Sequence, residues 1–333
     1  MEENTQRSGS RFRDGLIIGK FMPLTTGHCH LIETAQRQCE QLTILVCSLR
    51  AEPIDGHLRY GWVRDTFPTV RVVHVTDEVP SYPHQHPDFW SIWRELILRR
   101  VPVVDAVFTG EDYGERLAAE LGARHVMVDR THSAIPISAT QVRSDPLRHW
   151  EYIPAVGRPF YVRRIRVYGP ESTGKTTLCR ELAAHYQTTW VPEFARAFYD
   201  EKGMIPEVQD VPKIVAGQLA TEEEAALQAN RVLFCDTDVL TTVLYARHYY
   251  ETCPLWIERL THERRYNLTL LTDIDLPWEP DVQRELGHRR EEFYALFRGE
   301  LESRRIPYVQ INGNGRARLD AAIDAVENLL SIT

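Results

Sequence analysis

Gly169, Gly174, Lys175 and Thr176 stand at the spacing G-x-x-x-x-G-K-T within VYGPESTGKTTL, residues 167–178. That spacing suits the binding of a polyphosphate. Glycines let the backbone curl until successive N–H groups point inward, the lysine reaches the β- and γ-phosphates, and the threonine hydroxyl ligates Mg²⁺. Ser172, Thr173 and Thr177 belong to the same candidate binding stretch. RRIRVY before it (163–168) reads as a strand, and TLCRELAAHY after it (177–186) as a helix whose N-terminus favours anions. These residues predict a bound purine nucleoside triphosphate.

Several carboxylates belong with that loop. RVLFCD (231–236) is an apolar strand ending in Asp236, which would hold Mg²⁺ opposite Thr176. Asp238, two residues on, is a candidate contact for the metal or a substrate hydroxyl. Glu193 and Arg196 follow the strand TTWV (188–191) and would lie near the phosphates. Further on, DIDLPWEPDVQRELGHRR (273–290) sets Trp278 among Asp273, Asp275, Glu279 and Asp281. An aromatic face flanked by carboxylates makes Trp278 and Asp275 candidate substrate contacts. Arg284, Arg289 and Arg290 come next, and arginines there could neutralise a transferring phosphoryl group.

A second constellation lies in the first half. Lys20, Thr25, Gly27 and His28 follow the strand GLIIG (15–19), in a loop that also holds Gly19 and Phe21. TTGH (25–28) places a glycine for close phosphate approach and a histidine able to donate to a phosphate oxygen. ISATQVR (137–143) supplies Ser138, Thr140 and Arg143 at a helix start, hydroxyls and a guanidinium fit for a phosphate clamp; helix capping is the alternative reading. YPHQHPDFWSIW (82–93) is aromatic-rich. Trp90 is either core or a lid over a heteroaromatic ring, while His84 and His86 lack partners at metal-ligand spacing.

Strands and helices alternate on both sides of these loops, as parallel sheets require. RVVHVT (71–76), AVFT (106–109) and the residues 125–128 complete the first set of strands; NLTLLT (267–272) and PYVQIN (307–312) complete the second. The expected class is α/β, two doubly wound parallel-sheet domains. The divisions are a polar tail at 1–14, a Rossmann-like domain at 15–155 and a phosphate-loop domain at 160–333, with prolines 154 and 159 and Gly157 marking the join. A length of 333 residues fits two domains, and 43% hydrophobic content fits a globular chain. The net charge of −8 gives no electrostatic case for nucleic acid or anionic membrane as partner. Six cysteines without C-x-x-C spacing, no long apolar run and no signal segment fit free thiols and a cytoplasmic location.

TTGH and ISATQVR together resemble the nucleotidyltransferase superfamily, in which such motifs hold the triphosphate of ATP. Taken with GPESTGKTTL, VPEFARAF, FCDTD and LTDIDLPWEPDVQR, the chain resembles the NadR family over about residues 15–300. The resemblance implies a bifunctional enzyme of NAD salvage with ATP and Mg²⁺ as cofactors. Its C-terminal domain would phosphorylate nicotinamide riboside, and its N-terminal domain would adenylylate nicotinamide mononucleotide to NAD and pyrophosphate. Lys20, His28, Arg143, Lys175, Asp236 and Glu193 would carry the chemistry. Gly19, Phe21, Thr25, Gly27, Ser138 and Thr140 would hold one ATP; Gly169, Ser172, Thr173, Gly174, Thr176, Thr177, Arg284 and Arg289 the other. Trp90, Arg196, Asp238, Asp275 and Trp278 would contact the pyridine substrates. Family members with a transcriptional role carry an N-terminal helix-turn-helix, for which the tail is too short, so no nucleic-acid partner is expected. Self-association stays open. So do a sister fusion acting on another nucleotide precursor, and a sensor protein in which one site has lost turnover.

Overall fold

The computed structural model describes residues 11–130, 134–204, 206–279 and 287–331. It divides into two compact units, Met1–Gly157 and Arg158–Thr333. In the first, apolar runs become β1 (Phe12–Gly19), β2 (Cys39–Cys47), β3 (Arg71–Val75), β4 (Ala106–Thr109) and β5 (Arg124–Met127). All pair in parallel, in the order β3-β2-β1-β4-β5. Strands covered on both faces need near-continuous hydrophobic sequence; Leu16, Ile44, Leu45, Val46, Val107 and Phe108 are accordingly inaccessible to solvent. The chain winds outward from β1 to β3, then returns to β4 on the other side of β1. The carboxyl ends of β1 and β4 therefore flank a topological switch point, where such sheets bind ligands.

The second unit repeats the plan with β6 (Arg163–Tyr168), β7 (Trp190–Val191), β8 (Val232–Asp236), β9 (Leu268–Thr272) and β10 (Val309–Ile311). Their order is β10-β9-β6-β8-β7, again all parallel, so β6 lies between β8 and β9 at the switch point. Its core joins Ile165, Val167, Leu178, Leu182, Phe234 and Leu270. Each such side chain, fully buried, contributes about 1.5–3 kcal/mol.

Boundaries shift from expectation where local chemistry intervenes. β2 starts at Cys39, directly after the helix Thr26–Gln38, which Cys39 caps. The helix after the phosphate loop starts at Lys175, because Gly174 turns the chain with φ +76°. The edge strands β7 and β10 are shorter than their apolar runs. All six cysteines are free, and Cys39, Cys47, Cys179 and Cys235 are buried. Among the described residues no helix is long and apolar enough to cross a membrane.

Candidate active sites

In the second unit the phosphate loop leaves β6 at Gly169, whose φ is +147°. A Cβ there would lie 2.5 Å from Thr272 Oγ1, so only glycine lets the loop pass the end of β9. Thr173 is fully buried and its hydroxyl donates to Pro170 O at 2.8 Å, also meeting Thr272 Oγ1 at 2.8 Å. Lys175 Nζ donates to Pro170 O at 2.8 Å, folded back along the loop. Thr176 Oγ1 donates to Asp236 Oδ2 at 2.5 Å, which joins the first turn of the helix to the end of β8.

Asp236 is buried, and its other oxygen, Oδ1, has no hydrogen-bond partner among the described residues. Burial raises its pKa against the pull of Lys175. Glu193, beside them at the end of β7, is raised by burial and by Asp236 and lowered by Lys175. An orphaned carboxylate oxygen beside a threonine hydroxyl fits a hard divalent cation, with phosphate oxygens and water completing its shell. Thr176 and Asp236 are the residues that would hold Mg²⁺.

The loop is braced by two arginines, Arg290, one of the three expected near the phosphates, and Arg318, which the sequence did not single out. Arg318, in the helix Gly315–Ser331, is 5% exposed and donates to Thr173 O at 2.8 Å and to Asp275 Oδ1 at 2.7 Å. Arg290 donates to Leu276 O at 2.9 Å and to Ser172 O at 3.4 Å, while its guanidinium lies 5.8 Å from the Trp278 ring centre. The only sequence signal for Arg318 is a basic side chain in an otherwise amphipathic helix, which does not say what backbone it will meet.

Several expected contacts are corrected. Asp238 is no free ligand: its Oδ2 accepts from Arg166 Nη1 at 2.5 Å, and its Oδ1 caps the helix Val239–Tyr250 through Thr241 N at 2.9 Å. Both residues of that ion pair are buried. Asp275 is taken by Arg318 and by the N–H of Gly313. Arg289 forms a two-toothed pair with Glu292, and Arg290 takes the position against the phosphate loop. Arg284 and Asp281 lie outside the described residues. Trp278 packs beside Gly287 and Arg290, and the neighbouring Leu276, Pro277 and Glu279 face the cavity.

That cavity, about 540 Å³, has a size suited to a small ligand. One end is the phosphate loop with Lys175, Thr176 and Thr177; Glu193 and Arg196 line it beside the loop. The rest is walled by Tyr199, Tyr245, Tyr249 and Tyr250, with Val211, Ile214 and Gln218 from one face of the helix Val211–Gln228. Tyr245 and Tyr249 stack at 6.2 Å with their planes 16° apart. An aromatic enclosure with carboxylates at one end suits a flat cation carrying a polar arm.

In the first unit, the helix Thr26–Gln38 begins at the end of β1 with Thr25 as its cap. His28 closes the capping box: its Nδ1 accepts from Thr25 N at 3.1 Å, and its own N–H donates to Thr25 Oγ1 at 3.4 Å. A ring nitrogen that accepts from a backbone N–H is unprotonated, so the neutral ring carries its proton on Nε2. Burial lowers the pKa to about 4, which keeps the ring neutral near pH 7. His28 therefore offers a single N–H donor at the helix N-terminus. Phe21, buried with φ +48°, packs on the ring at 5.0 Å.

ISATQVR meets this loop in space. Ile135 lies against Gly27, Ser138 caps the helix Ala139–Ser144, and Arg143 donates to Met22 O and to Thr140 Oγ1. Ser138 thus takes the capping role through Gln141, and its hydroxyl remains near the helix start. Lys20 pairs with Glu52 Oε1 at 2.8 Å and reaches Ser81 Oγ at 3.2 Å. Glu52 is held in turn by Arg59, a fully buried arginine that also donates to Lys20 O at 2.7 Å and Cys47 O at 3.2 Å. Burial would raise the Glu52 carboxyl, but Lys20, the Leu49 N–H and Arg59 together hold it low. Trp90 takes the core alternative, packing edge-on to Phe89 at 5.0 Å with Arg116 over its ring. His84 stacks on Tyr82, and His86 Nδ1 accepts from Asp88 N.

A family model described as an AAA domain matches residues 164–318. The trifunctional NAD biosynthesis/regulator protein NadR of Escherichia coli (strain K12) is 31% identical over 327 residues, covering 89% of this chain and 78% of that protein. Its namesake from Salmonella typhimurium (strain LT2) is 30% identical over the same shares. A crystal structure of NadR protein in complex with NR superposes with a TM-score of 0.79 at 23% identity, covering 97% of this chain and 98% of that one. Another, in complex with NAD and AMP-PNP, gives 0.77 at 22%, covering 97% of each. The two-sheet plan, its nucleotide-binding loops and the identity across both units converge: the chain belongs to the NadR family of NAD-biosynthesis proteins.

Proposed function

We propose that this protein makes NAD from nicotinamide riboside in two ATP-consuming steps, one on each unit. The observation that carries the reading is that two separate loops, each opening a helix, sit at the switch points of two separate parallel sheets. In the second unit the riboside 5′-oxygen attacks the γ-phosphorus of ATP, the bond from that phosphorus to the β-bridging oxygen breaks, and ADP leaves. Glu193, at the cavity wall beside Lys175 and Asp236, is the carboxylate that takes the hydroxyl proton. Lys175 and the loop N–H groups stabilise the charge on the transferring group, and a Mg²⁺ held at Thr176 and Asp236 would screen the phosphates.

In the first unit a phosphate oxygen of the mononucleotide attacks the α-phosphorus of the second ATP, and pyrophosphate leaves. No proton needs to be removed from that nucleophile. The site's work is alignment and charge stabilisation, by the Nε2–H of His28, Arg143, Lys20 and the Ser138 hydroxyl. Complexes of family relatives with NR, and with NAD and AMP-PNP, support both halves of the reading. Incubating the protein with Mg-ATP and nicotinamide riboside should yield the mononucleotide first and NAD second, resolved by chromatography. Formation of neither, in folded protein, would refute the proposal.

A further inference from the structure

Three buried polar atoms at the cavity of the second unit lack a partner among the described residues: Arg318 Nε and Gln218 Nε2 on residues that line it, and Asp236 Oδ1 just behind the lining residue Thr176. Buried polar groups are nearly always satisfied, so each such atom asks for a ligand. Asp236 Oδ1 is an anion suited to a metal, and Arg318 is a cation already clamped on the phosphate loop. Gln218 is different, being a neutral donor. Its residue is 3% exposed, and its Oε1 is fixed as the acceptor for Phe194 N at 2.8 Å, which leaves the NH₂ with nothing to meet. It also breaks a pattern. Val211, Ile214 and Gln218 fall at i, i+3 and i+7 on the face of one helix that lines the cavity, and the first two are aliphatic.

We infer that Gln218 reads the carboxamide of the pyridine ring, donating from Nε2 to the amide oxygen of the riboside. The assignment rests on the proposed riboside kinase activity. Ribose hydroxyls both donate and accept, so Glu193 and other carboxylates in the cavity can serve them. An amide oxygen only accepts, and it needs a neutral donor in an enclosure walled by tyrosines. A buried donor left empty by a substrate lacking that oxygen costs enough to set specificity.

The test compares nicotinamide riboside with the pyridinium riboside lacking the 3-carboxamide, on the full-length protein. The wild type should prefer the first by roughly ten- to a hundredfold in kcat/KM. Gln218→Leu should abolish the preference by losing activity on the carboxamide substrate alone, with the KM for ATP unmoved. Gln218→Glu keeps an acceptor for Phe194 N and loses the NH₂, so it should behave likewise even if the leucine variant folds poorly. No preference in the wild type, or a preference that survives in both variants, would overturn the assignment, as would an equal loss on both substrates, which marks a merely structural role. Phosphorylation of neither riboside by the wild type would instead refute the kinase reading, and the assignment with it.

Discussion

Thr176 and Asp236 lie sixty positions apart and meet at 2.5 Å, one opening the helix after the phosphate loop and the other closing β8. The contact leaves Asp236 Oδ1 buried and unpartnered. Burial raises the Asp236 and Glu193 carboxyls, both against the pull of Lys175, and Asp236 adds to the rise at Glu193. Such groups contribute stability that is present below the unfolded carboxylate range and is lost as pH rises through the raised folded values. A cation at Asp236 opposes that loss. Mg-ATP should therefore raise the thermal midpoint more at about pH 7.5 than at about pH 5. Asp236→Asn should remove the difference and slow phosphoryl transfer by roughly 10²–10⁴-fold. Equal stabilisation at both pH values would contradict a metal at this carboxylate.

His28 is predicted to act as a neutral donor. Its pKa is lowered by burial to about 4, so stability from the neutral ring is present above the unfolded value near 6.5 and is lost as pH falls. Adenylyl transfer should show no inflection from this residue between about pH 6 and 8. NMR of the imidazole, assigned by comparison with His28→Ala, checks this: a titration midpoint near 6.5 for His28 would contradict the neutral Nε2–H donor.

Asp238 should prove structural. Removing it strands Arg166, which is buried, bonded to Thr269 Oγ1 at 2.8 Å and set between Tyr168 and Tyr266. Breaking a buried pair by deleting one partner costs about 3–5 kcal/mol. Asp238→Ala should therefore shift urea unfolding of the second unit by that amount. A variant with native stability and a raised KM for the riboside would restore Asp238 to the substrate.

The phosphate loop, the individual strands and the motifs at Thr25–His28 and Ile137–Arg143 were legible because each is a local pattern, complete within a dozen residues. What escaped was set by register. Arg166 meets Asp238 only because β6 pairs with β8, with Val167 beside Asp236. Arg59 closes on Glu52 and Lys20 only because three segments converge at the end of β1. In the loop after β9, acidic residues around Trp278 read as a ring site, yet Asp275 goes to Arg318 and the cavity draws its aromatic wall from tyrosines in distant helices. Gln218 had a faint signal, a lone amide in an aliphatic stripe, with no way of telling which cavity the stripe would face.

The central claim is that two independent sites act in series, and one pair of variants measures it. Lys175→Ala should reduce riboside phosphorylation by roughly 10²–10⁴-fold while leaving adenylylation of supplied nicotinamide mononucleotide within about twofold of wild type. His28→Ala should do the reverse, accumulating mononucleotide from riboside and ATP while NAD formation falls by about 10²–10³-fold. Loss of both activities from either substitution, in protein that remains folded, would contradict the account.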